Sequence, residues 1–293
     1  LKTHSFAKTS HRMTQQITAV SALASFLDKA KSQGQTVGFV PTMGALHEGH
    51  LAIVRKARQE NNITVVSIYV NERQFNNSED FIKYPRHEES DLSLLQGEGV
   101  DVVYFPQTAQ LFTPEYLPIN FSLNGLDELL EGASRPGHFK GVVEVVHALF
   151  KHVQPTRAYF GLKDFQQVAV LQKMVKALEL PVDLVAVPTV REENGLALSS
   201  RNQRLSKKQQ QEALILFKTL CFLKEYYQKR PLNELLAQAK ANIHQSSLKL
   251  DYLEIVDPET LISLQEQQPR ALACVAAFCG EVRLIDNMLL IAQ

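Results

Sequence analysis

Two histidines three residues apart occur in the string His47-Glu48-Gly49-His50. Val37 to Val40 before them has the composition of a short buried strand closed by Pro41, and Leu51 to Glu60 after them has the pattern of an amphipathic helix. A helix N-terminus offers unpaired N–H groups and a positive dipole end to an anion. Imidazoles at positions i and i+3 would lie on one face beside that anion. The spacing therefore predicts chemistry on the phosphates of a nucleotide.

The same quartet has two other interpretations. A zinc hydrolase is disfavoured, because the second histidine comes at i+3 and the H-E-x-x-H pattern requires i+4. Two histidines within four residues can also be ordinary surface residues. The strand before them, the helix after them and the Pro-Thr-Met-Gly turn between favour a functional interpretation.

Further polar and cationic residues occur at predicted turns. Arg135 and His138 lie in a Gly- and Pro-rich segment, where a solvated loop is the alternative. Lys163 and Asp164 follow a short strand, where Asp164 could simply cap the next helix. The string Ser199-Ser200-Arg201 could be a polar loop before a helix. Each feature is ambiguous alone, and together they indicate a nucleotide-dependent transferase.

Two glutamines are informative through their positions. Gln74 follows the predicted strand Ile63 to Val70, and Gln167 lies in the first turn of the helix after the strand Arg157 to Phe160. In open α/β sheets, ligands bind at the carboxyl ends of the strands. Both amides are therefore candidates to contact a substrate.

Strands and helices alternate through the first two thirds of the chain. Continuous β-branched runs such as Ile63 to Val70 indicate strands that are covered on both faces. We therefore predict an α/β fold in which residues 13–189 form a Rossmann-like, doubly wound parallel sheet domain. The predicted helices in this part are 20–31, 51–60, 88–98, 142–153 and 165–178, and the predicted strands are 37–40, 63–70, 100–105, 157–160 and 182–187. Residues 107–139 are expected to be largely irregular.

The pattern changes after residue 190. Ser206 and Gln209 form a predicted capping box for a helix that ends before Pro231, and a second helix is predicted over Asn233 to Gln245. Period-two alternation then predicts strands at 250–256, 271–278 and 282–285. Residues 190–293 are thus predicted to form a smaller C-terminal α+β domain. Residues 1–12 are interpreted as a disordered extension.

Composition excludes several classes of protein. The 293 residues include 31 basic and 31 acidic side chains, so the chain carries no charge signature for nucleic acid or an anionic membrane. The longest apolar run, Ala271 to Cys279, is far shorter than a membrane span. Cys221, Cys274 and Cys279 are odd in number and lack zinc-site spacing, which favours reduced core thiols in a cytoplasmic protein.

Six strings in order resemble the pantothenate synthetase family, one of the nucleotidylyltransferases with an H-x-G-H signature. The resemblance covers about residues 37–287 and is specific because the strings occur in sequence. They are Pro41-Thr42-Met43-Gly44-Ala45-Leu46-His47-Glu48-Gly49-His50; Val70-Asn71 with Gln74-Phe75; Arg135-Pro136-Gly137-His138-Phe139; Tyr159-Phe160-Gly161 with Lys163-Asp164; Ser199-Ser200-Arg201-Asn202; and Arg283-Leu284-Ile285-Asp286-Asn287.

The resemblance implies an enzyme that joins pantoate to β-alanine with ATP and Mg2+, through a pantoyl adenylate, releasing pyrophosphate and AMP. It implies catalytic roles for His47, His50, Lys163 and Arg201, and substrate contacts for Gln74, Gln167, Arg135 and His138. The implied ATP-binding residues are Pro41, Thr42, Met43, Gly44, His47, Gly49, His50, Gly161, Lys163, Asp164, Ser199, Ser200 and Arg201. No protein ligand to the metal is assigned. The resemblance also implies a cytoplasmic homodimer whose smaller domain closes as a lid.

The chain departs from the family pattern at two places, and two rival functions are considered. Glu72-Arg73 replaces a more usual proline-containing pair and adds the charge of Glu72 beside the implied pantoate pocket. Leu162 stands where a glutamate is common. One rival is an H-x-G-H adenylyltransferase for a phosphorylated acceptor, which would need further basic residues. The other is a regulatory nucleotide-binding protein without catalysis, against which the retained histidines and cations argue.

Overall fold

The structure, a computed structural model, describes residues 13–76, 78–114, 116 and 119–290. Its larger sheet has six parallel strands in the order β1-β4-β3-β2-β5-β6. The strands are β1 (Gln15–Ile17), β2 (Val37–Thr42), β3 (Ile63–Ile68), β4 (Val102–Tyr104), β5 (Arg157–Gly161) and β6 (Asp183–Val187).

Helices cover both faces of this sheet. The helices of this part of the chain are α1 (Val20–Ser32), α2 (Glu48–Glu60), α3 (Ser78–Ile82), α4 (Glu88–Gly97), α5 (Thr108–Leu111), α6 (Leu130–Ser134), α7 (His138–Val153) and α8 (Phe165–Ala177). Buried residues of α1, α7 and α8 pack in one cluster with Phe39 of β2, whereas those of α2 and α4 pack in another with the next residue, Val40. Successive side chains of a strand point to opposite faces. The predicted doubly wound α/β fold is therefore confirmed.

The strand order reverses between β2 and β5. The chain passes from β2 outward to β3 and β4, then returns to place β5 on the other side of β2. The two central strands pair only at Gly38 with Arg157 and Phe39 with Ala158, so their carboxyl-terminal halves are not hydrogen-bonded to each other. This is the type of crevice in which open α/β sheets bind ligands.

A smaller sheet follows in sequence. Two helices, α9 (Lys207–Tyr226) and α10 (Leu232–His244), precede the antiparallel strands β7 (Lys249–Val256), β8 (Leu272–Cys279) and β9 (Val282–Leu289). The predicted capping box is present, since Gln209 N donates to Ser206 Oγ at 3.2 Å and Ser206 N donates to Gln209 Oε1 at 2.9 Å. The smaller α+β part is confirmed.

The two parts of the chain share some core. Most buried residues after position 195 form one cluster, but Val256, Leu261, Leu272 and Cys274 belong to the cluster beneath the large sheet. Side chains of the small sheet thus pack directly on the larger part. The domain boundary near residue 190 stays a prediction.

Some local expectations differ from the structure. Helix α7 begins at His138, four residues before the predicted start at Val142, because Gly137 adopts φ +81° and reverses the chain directly before it. Asp164 occupies the N-cap position of α8, but its side chain makes no capping hydrogen bond. Strand β1 and helix α3 were not predicted. The extension predicted at residues 1–12 lies outside the described residues.

Within the described residues, no helix combines the length and apolar character that crossing a membrane requires. Cys221, Cys274 and Cys279 are free thiols. Cys274 and Cys279 are buried as predicted, whereas Cys221 is only half-buried.

Candidate active site

The turn between β2 and α2 is fixed by a buried carboxylate. Asp91, only 2% exposed, accepts hydrogen bonds from Ala45 N at 2.8 Å and Leu46 N at 2.7 Å. Gly44 adopts φ +77°, and a Cβ there would lie 2.9 Å from Asp91 Oδ2. The turn therefore needs both the positive φ and the missing side chain, which explains the glycine. Its conformation is set before any ligand binds.

His47 and His50 begin α2 and are both oriented by the backbone. Gly49 N donates to His47 Nδ1 at 3.1 Å, and His47 N donates to His50 Nδ1 at 3.3 Å. A neutral imidazole that accepts at Nδ1 carries its proton on Nε2. The ring centroids are 4.1 Å apart. The two rings thus form a closely spaced pair of Nε2–H donors at a helix N-terminus.

Both imidazoles are neutral at physiological pH in the absence of ligand. Burial, followed by the charge of Lys163, lowers the pKa of His47 to about 4. Burial, followed by the neighbouring His47 and then Lys163, lowers the pKa of His50 to about 3. The pair would therefore stabilise phosphate charge by donating hydrogen bonds.

A cavity of about 220 Å³ lies at the carboxyl ends of β2 and β5, where their pairing has ended. Every residue predicted for the site lines it except Gly44, which lies in the turn behind. The predicted residues that line the cavity are Pro41, Thr42, Met43, His47, Gly49, His50, Gln74, Arg135, His138, Gly161, Lys163, Asp164, Gln167, Ser199, Ser200 and Arg201.

One wall of the cavity is built around Gln74. Its side chain is 8% exposed, and its Nε2 donates to Met43 Sδ at 2.8 Å. Its backbone carbonyl accepts from His138 Nδ1 at 2.7 Å and from Arg135 Nη2 at 3.3 Å. Burial, followed by the charge of Arg135, lowers the pKa of His138 to about 4. His138 is therefore a neutral donor that holds the Gln74 backbone in place.

Adjacent glutamines on α8 have different environments. Gln166 is buried and donates to the carbonyls of Leu126 at 2.6 Å and Leu129 at 2.8 Å, so it fixes the loop before α6. Gln167 lines the cavity, and its side chain makes no hydrogen bond to the described residues. Its amide therefore remains available to a ligand, as the position after β5 predicts.

The Lys163 turn is held by the small sheet. Asn287 of β9 donates from Nδ2 to the carbonyls of Leu162 and Lys163, each at 2.9 Å. Its neighbour Asp286 forms a two-point ion pair with Arg191, with N–O distances of 2.7 and 2.8 Å. These contacts explain the late string Arg283 to Asn287, to which the sequence assigned no role. This string positions the Lys163 turn of the cavity, although it lies far from that turn in sequence.

The segment Ser199 to Arg201 forms another wall of the cavity. Ser200 Oγ donates to the carbonyl of Ala45 at 3.0 Å, which joins the two walls. The Arg201 guanidinium is paired with Asp80 at 3.0 Å, and Asp80 also binds Arg204 at 2.9 Å. Asp80 and Arg204 were not predicted from sequence, because nothing in either segment indicates a partner so distant along the chain.

The site does not build a metal centre from protein ligands alone. The described residues contain no group of three or more His, Cys, Asp or Glu side chains that could hold an ion. Mg2+ prefers oxygen ligands and is often bound through substrate phosphates with one or two carboxylates. Asp164 is the carboxylate that lines the cavity, and its side chain is not used for helix capping. These residues fit a metal ion that binds as a complex with the nucleotide.

Known proteins resemble the chain over nearly its whole length. The pantothenate synthetase of Fervidobacterium nodosum is 43% identical over 281 residues, covering 95% of this chain and 99% of that protein. The pantothenate synthetase of Thermosipho melanesiensis is 46% identical over 259 residues, covering 88% of this chain and 92% of that protein.

Solved structures of proteins with the same names also resemble the chain. The crystal structure of pantothenate synthetase from Thermus thermophilus matches with a TM-score of 0.89 and 43% identity, covering 95% of this chain and 100% of that one. The pantoate-beta-alanine ligase of Francisella tularensis, complexed with beta-gamma ATP and beta-alanine, matches with a TM-score of 0.77 and 33% identity, covering 94% and 97%. The family model described as pantoate-beta-alanine ligase matches residues 15–289, and the chain belongs to that family.

Proposed function

We propose that this chain condenses pantoate with β-alanine to pantothenate at the expense of ATP, releasing pyrophosphate and AMP. The observation that carries the proposal is the composition of the 220 Å³ cavity. It combines two Nε2–H donors and the cations Lys163 and Arg201, which suit phosphates, with the amides of Gln74 and Gln167, which suit a hydroxy acid. Family membership supports the same reaction.

In the first step, a carboxylate oxygen of pantoate attacks the α-phosphorus of ATP. The new O–P bond forms as the bond between the α-phosphorus and the oxygen that bridges the α- and β-phosphates breaks. Pyrophosphate leaves with the electron pair of that bond. Two anions must approach each other, so Lys163, Arg201 and the imidazole donors of His47 and His50 lower the barrier by offsetting charge. The nucleophile is already ionised, so no general base is needed.

In the second step, the neutral amine of β-alanine attacks the acyl carbon of pantoyl adenylate. The C–N bond forms as the bond between the acyl carbon and the phosphate oxygen breaks; AMP leaves with the electron pair, and the proton of the nitrogen is released to solution. Gln74 and Gln167 hold the pantoyl group, and Arg135 and His138 complete that wall. A site closed from water protects the mixed anhydride between the two steps.

Three finer features belong to the same proposal. Mg2+ enters as part of the ATP substrate, with Asp164 as the carboxylate available to it, and when bound it neutralises phosphate charge. The chain is a homodimer whose C-terminal part acts as a lid over the site, both inferred from family resemblance. A cytoplasmic location fits the three free thiols.

An assay of the purified protein tests the proposed reaction. With ATP, Mg2+, pantoate and β-alanine, we expect AMP to form, and without pantoate we expect no pyrophosphate release. Pyrophosphate release without pantoate, or absence of AMP in the complete mixture, would refute the function. An adenylyltransferase for a phosphorylated acceptor would form no AMP in the complete mixture.

A further inference from the structure

Arg201, a predicted phosphate ligand, already has an anionic partner within the protein. Asp80 Oδ2 lies 3.0 Å from Arg201 Nη2, and Asp80 Oδ1 lies 2.9 Å from Arg204 Nη1. Each carboxylate oxygen thus binds a different guanidinium. The carboxylate can lose one of these partners and keep the other.

The three side chains come from two segments that are distant in sequence. Asp80 lies on α3, in the segment that follows β3, whereas Arg201 and Arg204 lie on the 3₁₀ turn Ser200–Arg204. A second cavity of about 420 Å³ adjoins the substrate cavity here. Arg201 lines both cavities, but Asp80 and Arg204 line only the larger one. Asp80 therefore binds Arg201 within the larger cavity, outside the lining of the substrate cavity.

The charges around Arg201 explain why an internal anion is useful. Arg201 is close enough to Arg135 for their like charges to repel, and Arg204 adds a third cation. Asp80 offsets this repulsion when no ligand is bound. Burial raises the pKa of the Asp80 carboxyl, but the two guanidiniums outweigh that effect and bring it below its ordinary value. Asp80 is consequently ionised throughout the neutral pH range.

The Asp80 pair is suited to exchange. The side chains of Asp80, Arg201 and Arg204 are 30%, 27% and 29% exposed. Ion pairs with this access to water are weak, and a triphosphate carries several times the charge of one carboxylate. ATP can therefore displace Asp80 from Arg201. Arg204 prevents the displaced carboxylate from being left without a cation.

We propose that Asp80 competes with ATP for Arg201, and that Arg204 retains Asp80 while Arg201 is transferred to the phosphates. Departure of pyrophosphate returns Arg201 to Asp80, so the same pair promotes product release. The inference rests on the proposed function, because it takes ATP as the ligand of Arg201. In this scheme Asp80 and Arg204 are positioning residues, since both act through Arg201.

Three variants give an ordered test by ATP titration calorimetry, with Mg2+ and without pantoate. Asp80→Asn is expected to tighten ATP binding about threefold, because the competitor has lost its charge. Arg204→Gln is expected to weaken binding by a similar factor, because Asp80 then binds Arg201 alone. A variant with both Asp80→Asn and Arg204→Gln should bind ATP with the affinity of Asp80→Asn, since Arg204 acts only through the Asp80 carboxylate.

Controls keep the test independent of folding and of the proposed function. Glu259→Gln removes a carboxylate from another Arg ion pair, with Arg270 at 2.6 Å, and should leave ATP affinity unchanged. Asp80→Ala provides a second variant with the same expected direction as Asp80→Asn. Thermal unfolding of each variant confirms a folded protein.

Each other outcome has a distinct meaning. Weaker ATP binding in Asp80→Asn would show that Asp80 merely orients Arg201, and unchanged binding would show that the pair has no influence; both overturn the proposal. A double variant weaker than Asp80→Asn would show that Arg204 contacts phosphate directly, which also overturns it. A wild-type protein that binds no ATP and forms no AMP would refute the proposed function itself.

Discussion

The two walls of the substrate cavity are held by different forces. His47 and His50 are fixed by backbone hydrogen bonds and by the buried Asp91 behind their turn. Arg201, on another wall, is held by an ion pair whose two side chains are 27% and 30% exposed. Donors that do not move can be aligned in advance with charge that develops in a transition state. In the exchange that we propose, Arg201 instead changes partners as substrates and products pass.

Removing a donor from the fixed wall should have the largest effect. His50→Ala is expected to lower the rate of adenylate formation about 100- to 1,000-fold, because one preorganised donor to the phosphate is lost. Pantoate-dependent pyrophosphate release measures that rate. His244→Ala, which changes an exposed histidine on α10, is the matched control.

The same variants distinguish a catalytic role from a structural one. His50→Ala should retain the unfolding temperature of the wild type within a few degrees. An unfolded variant, or one with full activity, would contradict the role given to His50.

Weakening the support behind the fixed wall should have an intermediate effect. The Asp91 carboxylate is buried and accepts hydrogen bonds from two backbone N–H groups. Asp91→Asn replaces one of the two acceptor oxygens with an NH2 group, which is a donor. We expect about 1 to 3 kcal/mol of lost stability and about a tenfold lower rate, as the histidine turn shifts. Denaturant unfolding and the pyrophosphate assay measure the two quantities.

A control on the same helix isolates this effect. Glu89→Gln changes an exposed carboxylate in the first turn of α4 and should alter neither quantity appreciably. If Asp91→Asn behaved like Glu89→Gln, the rigidity of this wall would not depend on the buried carboxylate.

A further expected effect is a pH dependence of stability from the buried His138. The folded-state pKa of His138, about 4, lies below its ordinary value of 6.5. Its neutral form is thus favoured by folding, and stability is complete above pH 6.5 and falls as pH decreases from 6.5 to 4. His138→Gln removes this titration, so its unfolding temperature should fall less steeply over that interval. Equal slopes would show that His138 does not contribute.

The alternation of strands and helices could be predicted because its local signals are strong. Runs of β-branched residues such as Ile63 to Ile68 are buried on both faces, and Pro and Gly mark their ends. Strand β1 and helix α3 were missed because three and five residues are too few to show a period. Their formation depends on tertiary contacts, such as the pairing of Gln15 with Val102.

The candidate site could be predicted in part. His47, Gln74 and Gln167 follow strand ends, and the sheet topology brings such positions to one edge. Asp91 gave no distinct signal, because an acidic residue in the first turn of a helix is ordinary. Asn287 could be placed in a family string, but its bonds to the Lys163 turn depend on a contact between distant segments.

The contact between Asn287 and the Lys163 turn joins two segments that are synthesised at different times. Asn287 is translated 124 residues after Lys163, so the large sheet can be complete while the carbonyls of this turn still lack their partner. A nascent chain translated only through β6 therefore lacks the two hydrogen bonds that support the Lys163 turn. Adenylating activity is thus expected to appear only after β9 has been translated and can contact the Lys163 turn.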